Sequence, residues 1–271
     1  MFGKLLKHEL RHTARYHFAI IIVSVIATVF MGVSLVTESE ALMSMAMFPL
    51  ILIAAAVIIV SLVSIIKNFY ETIFSRQGYL TMTLPVRGSQ LLISKVLISF
   101  FWVIVSYIAA FLPFVFVLLH VKKQLDADNM TDQVVQDILS MLPSTGSIVL
   151  VVIFFVITSL ISILSYVSYV YFSVTIANTR LLNKHPKLFG GLIFLGVSIL
   201  TGKISDFTLR FAPLSFAISD ERAFFTFKDA WELEEVIINT FDVNSYLIEA
   251  IVAVALLFAT SYFIENKINI K

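Results

Sequence analysis

Six long apolar stretches alternate with polar ones along the chain: Phe18 to Val36, Leu42 to Ile66, Val96 to Leu119, Ser147 to Ile176, Leu188 to Thr201 and Tyr246 to Ile264. About 20 apolar residues in helical form cross about 30 Å of hydrocarbon, so the pattern predicts six transmembrane helices. The fifth stretch is short. It either borrows from the residues that follow or enters part-way as a broken or re-entrant element, which is tolerated where protein covers the backbone. Ahead of the first stretch, a helical projection puts Phe2, Leu5, Leu6, Leu10 and Thr13 on one side and Lys4, Lys7, His8, Arg11, His12 and Arg15 on the other, with Glu9 toward the apolar edge. This predicts an amphipathic helix over residues 1–17 that lies on the membrane surface, its cations toward anionic headgroups. The remainder, 18–271, reads as one six-span domain with a cytoplasmic loop at 67–95 and an extracellular or re-entrant segment at 202–245. No internal repeat is visible.

Composition agrees with a polytopic, all-α membrane protein: of 271 residues, 59% are hydrophobic and only 14% charged. The net charge of +1 gives no footing for nucleic acid, and the absence of cysteine excludes disulfides and thiol chemistry. The charges are segregated. With the N-terminus cytoplasmic, the inner segments hold Lys4, Lys7, Arg11, Arg15, Lys67, Arg76, Arg87, Lys95, Arg180, Lys184, Lys187, Lys267 and Lys271, which is 13 of 19 basic residues. The outer segments hold 14 of the 18 acids. By the positive-inside rule both termini are cytoplasmic, in a multi-pass protein of the cell membrane. A cleaved signal peptide is the competing reading of the N-terminus, but the first apolar run is longer than the usual 7 to 15 residues and lacks a small-x-small exit.

Two motifs point toward enzymes. His8-Glu9-Leu10-Arg11-His12 matches H-E-x-x-H, in which two histidines on one helical face hold zinc and the glutamate acts as base. Here the histidines share their face with Lys7 and Arg11, which repel a divalent cation, and a third ligand would have to come from Glu71, His185 or Glu265. A solvated cationic face is the simpler reading, with a membrane-bound zinc protease as the alternative. Gly196 to Ile204 imitates a Walker A loop but has five residues between its glycines and Ile204 where Ser or Thr must follow the lysine. The chain is therefore expected to carry no ATPase site and no metal of its own.

An energy source still has to be found for transport. Ion-coupled carriers place acids or histidines within their spans. The first five apolar stretches contain no Asp, Glu, Lys, Arg or His, and the sixth contains only Glu249, whose simplest reading is an interfacial residue. A secondary carrier is thus the weaker alternative, and the work is expected from another subunit. The loop after the second stretch contains Phe69, Tyr70, Ile73, Phe74 and Tyr79, a cluster that marks an interface if exposed to cytosol and a headgroup anchor if not.

Together, the basic N-terminal helix, six spans with both ends inside, and the run Glu71-Thr-Ile-Phe74-Ser-Arg-Gln77-Gly78-Tyr79 resemble permease subunits of bacterial ABC exporters of the type-2 class, which share a fold with the G subfamily of eukaryotic ABC transporters. The stretch from Gly78 to Pro85, leading to Ser94 and Lys95, is similar to stand-alone permeases of Gram-positive peptide-export or bacteriocin-immunity systems. The resemblance covers the whole chain through short motifs. It implies a coupling helix in which Phe69, Tyr70, Glu71, Phe74, Gln77, Gly78 and Tyr79 dock a separate ABC ATPase that carries ATP and Mg. It also implies a second permease, identical or homologous, as partner, and re-entrant or extracellular helices between spans five and six.

Two further sets are candidates for cargo contact. Thr158, Ser162, Ser165 and Tyr169 form a stripe on the fourth span, either a translocation path or a packing seam. Glu232, Glu234 and Glu235 follow Phe224, Phe225, Phe227 and Trp231 in the outer segment, where they either bias the exit toward cationic or peptide-like cargo or form a solvated acidic face.

Overall fold

The computed structural model describes residues 2–37, 40–75, 78, 88–127, 145–179, 182, 184–211, 213–219, 223–227 and 237–266. Among the described residues, six helices are long and apolar enough to cross a membrane. They are α1 (Phe2–Val36), α2 (Glu40–Ile73), α3 (Gly88–Ala127), α4 (Thr145–Ala177), α5 (Pro186–Leu209) and α6 (Val243–Asn266), with strands β1 (Ser215–Ser219), β2 (Ala223–Thr226) and β3 (Ile237–Asp242) between the last two helices. The chain divides into two compact units, Met1–Thr131 with Ile268–Lys271, and Asp132–Lys267.

In the first unit, α1 packs against both α2 and α3. Residues 2–17 and the first span are one unbroken helix of 35 residues, about 52 Å at 1.5 Å per residue, so no break separates the expected interface helix from the span. Its buried face is Glu9, Thr13, His17, Ser24, Ala27, Met31 and Ser34, while Phe18, Ile22, Val25, Ile26, Val29 and Phe30 point outward. The face that meets protein is mostly polar or small, with Met31 the exception, and the outward face is aliphatic and aromatic. Lipid tails are as apolar as leucine, so burial of aliphatic surface does not drive these helices together; close approach and hydrogen bonds do.

Those bonds form successive levels. At the first, Lys95 of α3, with no exposed side-chain surface, donates from Nζ to Glu9 Oε1 at 2.6 Å. Asn68 Nδ2 of α2 donates to Glu9 Oε2 at 3.3 Å, and Asn68 Oδ1 lies 3.0 Å from His12 Nδ1. At the second, His17 stacks on Trp102 with centroids 5.2 Å apart, while its Nδ1 lies 2.8 Å from Ser106 Oγ and its Nε2 lies 3.2 Å from Ser64 Oγ. At the third, Ser24 Oγ donates to the backbone carbonyl of Ala109. That carbonyl is the one Pro113, inside α3, cannot serve, because proline has no N–H for the residue four positions before it. A hydroxyl from the neighbouring helix fills the gap, the usual way a membrane helix accommodates proline. Beyond it the core turns apolar, with Ala27, Ile53, Val57 and Ala110 in one cluster.

Lys95 therefore is not a free loop cation, and the loop assigned to 67–95 is cut at both ends: α2 continues to Ile73 and α3 begins at Gly88.

In the second unit, α4 packs against α5 and α6, and α5 against α6. The fifth span is complete at 24 residues, about 36 Å, because the helix runs past the apolar stretch through Lys203 and Asp206, an exposed pair at 4.0 Å. The near-Walker sequence is thus ordinary helix. The expectation of helices between spans five and six, and of an all-α fold, is corrected by the antiparallel sheet of order β2-β1-β3. Its strands, Ser-Phe-Ala-Ile-Ser, Ala-Phe-Phe-Thr and Ile-Ile-Asn-Thr-Phe-Asp, are rich in the β-branched and aromatic residues that suit a pleated surface. The sheet seats on α4 through Phe216 stacked on Phe154 at 4.3 Å, and through Ser147 Oγ accepting the Ala223 N–H at 3.1 Å. Asp242, the last strand residue, caps α6 by accepting the N–H groups of Asn244 at 2.8 Å and Ser245 at 3.3 Å.

Lys95→Met strands the Glu9 carboxylate without its ion partner and is expected to cost about 3–5 kcal/mol, while Glu9→Gln combined with Lys95→Met recovers most of that loss. Reversible unfolding in detergent mixtures reads both, and an equal loss in single and double variants would contradict the pairing. Ser24→Ala orphans the Ala109 carbonyl and should cost about 1–3 kcal/mol in the same assay, whereas Thr37→Ala, at an exposed hydroxyl bonded only within its own helix, should cost little.

Candidate functional site

A cavity of about 320 Å³ opens among α4, α5 and α6 of the second unit. Each helix contributes a stripe at helical spacing. Ser162, Ser165, Tyr166 and Tyr169 come from α4; Phe194, Ser198, Thr201, Gly202 and Ser205 from α5; Ser245 and Glu249 from α6. Positions three, four and seven apart share a face, which is how hydroxyl groups scattered in sequence converge on one space.

Glu249 is the one carboxylate lining the cavity. Ser162 Oγ donates to its Oε2 at 3.1 Å, and Ser165 Oγ donates to its backbone carbonyl at 3.2 Å. The Tyr169 side chain is buried and its hydroxyl has no well-formed hydrogen bond, with Thr201 and Glu249 as polar neighbours. On the far wall, Ser198 Oγ donates to Phe194 O and Thr201 Oγ1 to Val197 O, each at 2.9 Å. Ser205 Oγ lies 2.7 Å from Ser245 Oγ, whose own proton goes to the capping Asp242. The rings of Tyr166 and Phe194 meet edge to face at 6.1 Å.

Of the stripe expected on the fourth span, Ser162, Ser165 and Tyr169 line this cavity. Thr158 is buried outside it, its hydroxyl returned to Phe154 O at 3.0 Å. Glu249, read from the sequence as an interfacial residue, faces the cavity instead. The α5 stripe went unnoticed, although Ser198, Thr201 and Ser205 recur at helical spacing within the fifth span. Glu232, Glu234 and Glu235 lie outside the described residues.

The expected coupling set divides. Phe69 is the closing part of α2, fully buried together with Ile73, so it belongs to the packing of the first unit and not to an exposed knob. Tyr70 is 41% exposed, and its ring stacks on Phe74 at 6.1 Å. Glu71 pairs with Lys67 at 3.8 Å on the same exposed side. Gly78 approaches the end of α2 so closely that a Cβ there would overlap the Ile73 carbonyl, and its N–H donates to Ser75 O at 2.8 Å. Gln77 and Tyr79 lie outside the described residues.

In the H-E-x-x-H motif, His8 is exposed whereas Glu9 is buried and held by Lys95 and Asn68. Both carboxylate oxygens of Glu9 thus already have partners, on α2 and α3. Among the described residues no cluster of three or more His, Asp or Glu is placed to hold a metal ion.

Phe69→Ala is expected to lower stability by about 3–5 kcal/mol through the cavity it leaves, and Tyr70→Ala by less than about 1 kcal/mol. The same unfolding assay reads both, and similar losses would show that the exposed and buried faces of α2 have been misassigned. No protein-family model, no curated protein and no solved structure matches the chain, so its function has to be argued from the site itself.

Proposed function

We propose that this chain is the membrane-spanning subunit of an ATP-driven exporter of the ABC type-2 class, moving an amphipathic or peptide-like molecule outward under the power of a separate ATPase. The observation that carries the reading is the cavity among α4, α5 and α6: a hydroxyl-rich space with one carboxylate, set among helices of membrane length. Polar cavities between spanning helices are where transported molecules bind. The path comprises Ser162, Ser165, Tyr169 and the α5 stripe, with Glu249 at its side.

Alternating access then follows as rigid helices shift and open the cavity to one side or the other. Two permease chains would face each other, clamped by two ATPases, and the termini would be cytoplasmic as the charge segregation requires. The ATPase grips exposed Tyr70 and half-buried Glu71 and Phe74 at the end of α2, while buried Phe69 and Ile73 transmit the pull into the first unit. Because α1, α2 and α3 are tied by the Glu9, Asn68 and Lys95 contacts, a displacement of α2 moves them together.

One observation favours a second reading. Glu249 in a cavity is what a carrier driven by protons or sodium would use. Reconstitution of the chain by itself separates the two: uphill solute movement under a pH or sodium gradient, without ATP, establishes the carrier. For the exporter, affinity purification from the native host is expected to bring down an ATP-binding subunit. Tyr70→Ala with Glu71→Ala should release it without lowering thermal stability. Retention of the ATPase by that double variant, or its absence from the wild-type preparation, overturns the docking assignment.

A further inference from the structure

We infer that the cavity among α4, α5 and α6 binds the primary ammonium group of an amphipathic molecule, with Glu249 as its counter-ion. As a statement about cargo this deepens the export reading and rests on it. The argument lies in where the hydroxyl protons go. Ser162 and Ser165 donate to the side chain and backbone of Glu249, and Ser198 and Thr201 donate to carbonyls of their own helix. Ser245 donates to Asp242, so in the short contact between the two serines the proton must come from Ser205. Six hydroxyls therefore have their hydrogens committed and present only lone pairs to the space they line.

A wall of acceptors beside a carboxylate repels anions and offers the carbonyl groups of a neutral ligand few donors, the Tyr169 hydroxyl being one whose proton is uncommitted. It accepts a group that brings donors and positive charge. A primary ammonium has three N–H donors and no acceptor, and complements that wall. Pairing with Glu249 removes the cost of holding either charge at membrane depth. The Tyr166 and Tyr169 rings add faces that attract a cation, and Phe194 provides an apolar surface for the attached chain. The volume decides against a bare metal ion. Sodium needs oxygens converging tightly around it, whereas about 320 Å³ lies at the low end of organic-ligand pockets.

The test uses the full chain in phosphatidylcholine nanodiscs, without ATP or any partner, titrated calorimetrically with hexylammonium chloride; hexanol, sodium hexanoate and sodium chloride are the comparators. Hexylammonium is expected to bind saturably at one site per chain, and hexanol and hexanoate at least about tenfold more weakly. Glu249→Gln should weaken hexylammonium at least about tenfold, and Ser198→Ala, which removes one acceptor and keeps the charge, by about three- to tenfold. Thermal melts establish that each variant is folded; should Glu249→Gln unfold, Glu249→Asp and Ser198→Ala carry the comparison, and unchanged affinity in both overturns the inference. Equal binding of hexanol, displacement by millimolar sodium, or unaltered affinity in folded Glu249→Gln also overturns it. Nanodiscs containing phosphatidylethanolamine identify the source of the group: competition by that lipid assigns the site to an aminophospholipid headgroup, and its absence to a soluble amine or peptide. Ammonium binding in a chain that captures no ATPase keeps this site and removes the export reading. An ATPase partner without ammonium binding does the reverse.

Discussion

A bilayer core has no hydrogen bonds to give, and this constraint orders everything else in the structure. A helix in lipid satisfies its own backbone, and its hydroxyls can return to carbonyls one turn back, but a histidine or charge on it needs a partner on a neighbouring helix. In the first unit those partners supply the cohesion. Glu9 and Lys95 neutralise each other, Asn68 and His12 extend the contact, His17 joins Ser64 and Ser106, and Ser24 serves the carbonyl that Pro113 leaves open. Many aliphatic side chains of α1 face outward, while Ile53 and Val57 of α2 are buried in the apolar cluster beyond the polar levels.

The same constraint explains which features were legible in the sequence. The six spans were, since length and apolar content are set by bilayer thickness and need no knowledge of packing. The fifth span looked too short only because its apolar stretch stops at Thr201 while the helix continues to Leu209; helical continuity depends on backbone bonding, which Lys203 and Asp206 do not interrupt. Lys95 was assigned to a loop because lysine in a membrane protein ordinarily marks the interface, and its partner lies 86 positions away at Glu9. A helical projection set Glu9 toward the apolar edge of the first helix, whose Phe2 and Leu10 are exposed while Glu9 is buried. What it could not show was that this edge meets protein, so that the glutamate of a zinc-like motif is consumed in an ion pair.

Phe69 illustrates the opposite error. An aromatic after a hydrophobic span was read as surface because the apolar stretch ended at Ile66, yet α2 runs another two turns with one side still against its neighbours. The sheet was missed for a related reason. Resemblance pointed to helices in that segment, while Phe216, Ile218 and the aromatic pair Phe224-Phe225 are residue types that suit strands. On α4 the sequence could pick out a polar stripe but not its purpose. Whether hydroxyls seal a seam or line a space depends on what the facing helix brings, and α5 brings more hydroxyls.

The two units thus treat buried polarity in different ways. In the first, polar groups of the three helices are turned on each other, as in the Glu9, Asn68 and Lys95 contacts and those of His17 with Ser64 and Ser106. In the second, the serines and Thr201 send their protons back into their own helices, into Glu249, into the Asp242 cap or, for Ser205, into Ser245, and line an open space. A seam evolved only for packing would close, since apposed hydroxyls bond well across a helix interface and an unfilled gap forfeits contacts on every side. An open acceptor-lined cavity beside a carboxylate costs stability, and polar or charged groups are held at membrane depth chiefly where function requires them. That contrast is the physical reason for placing the candidate binding site in the second unit.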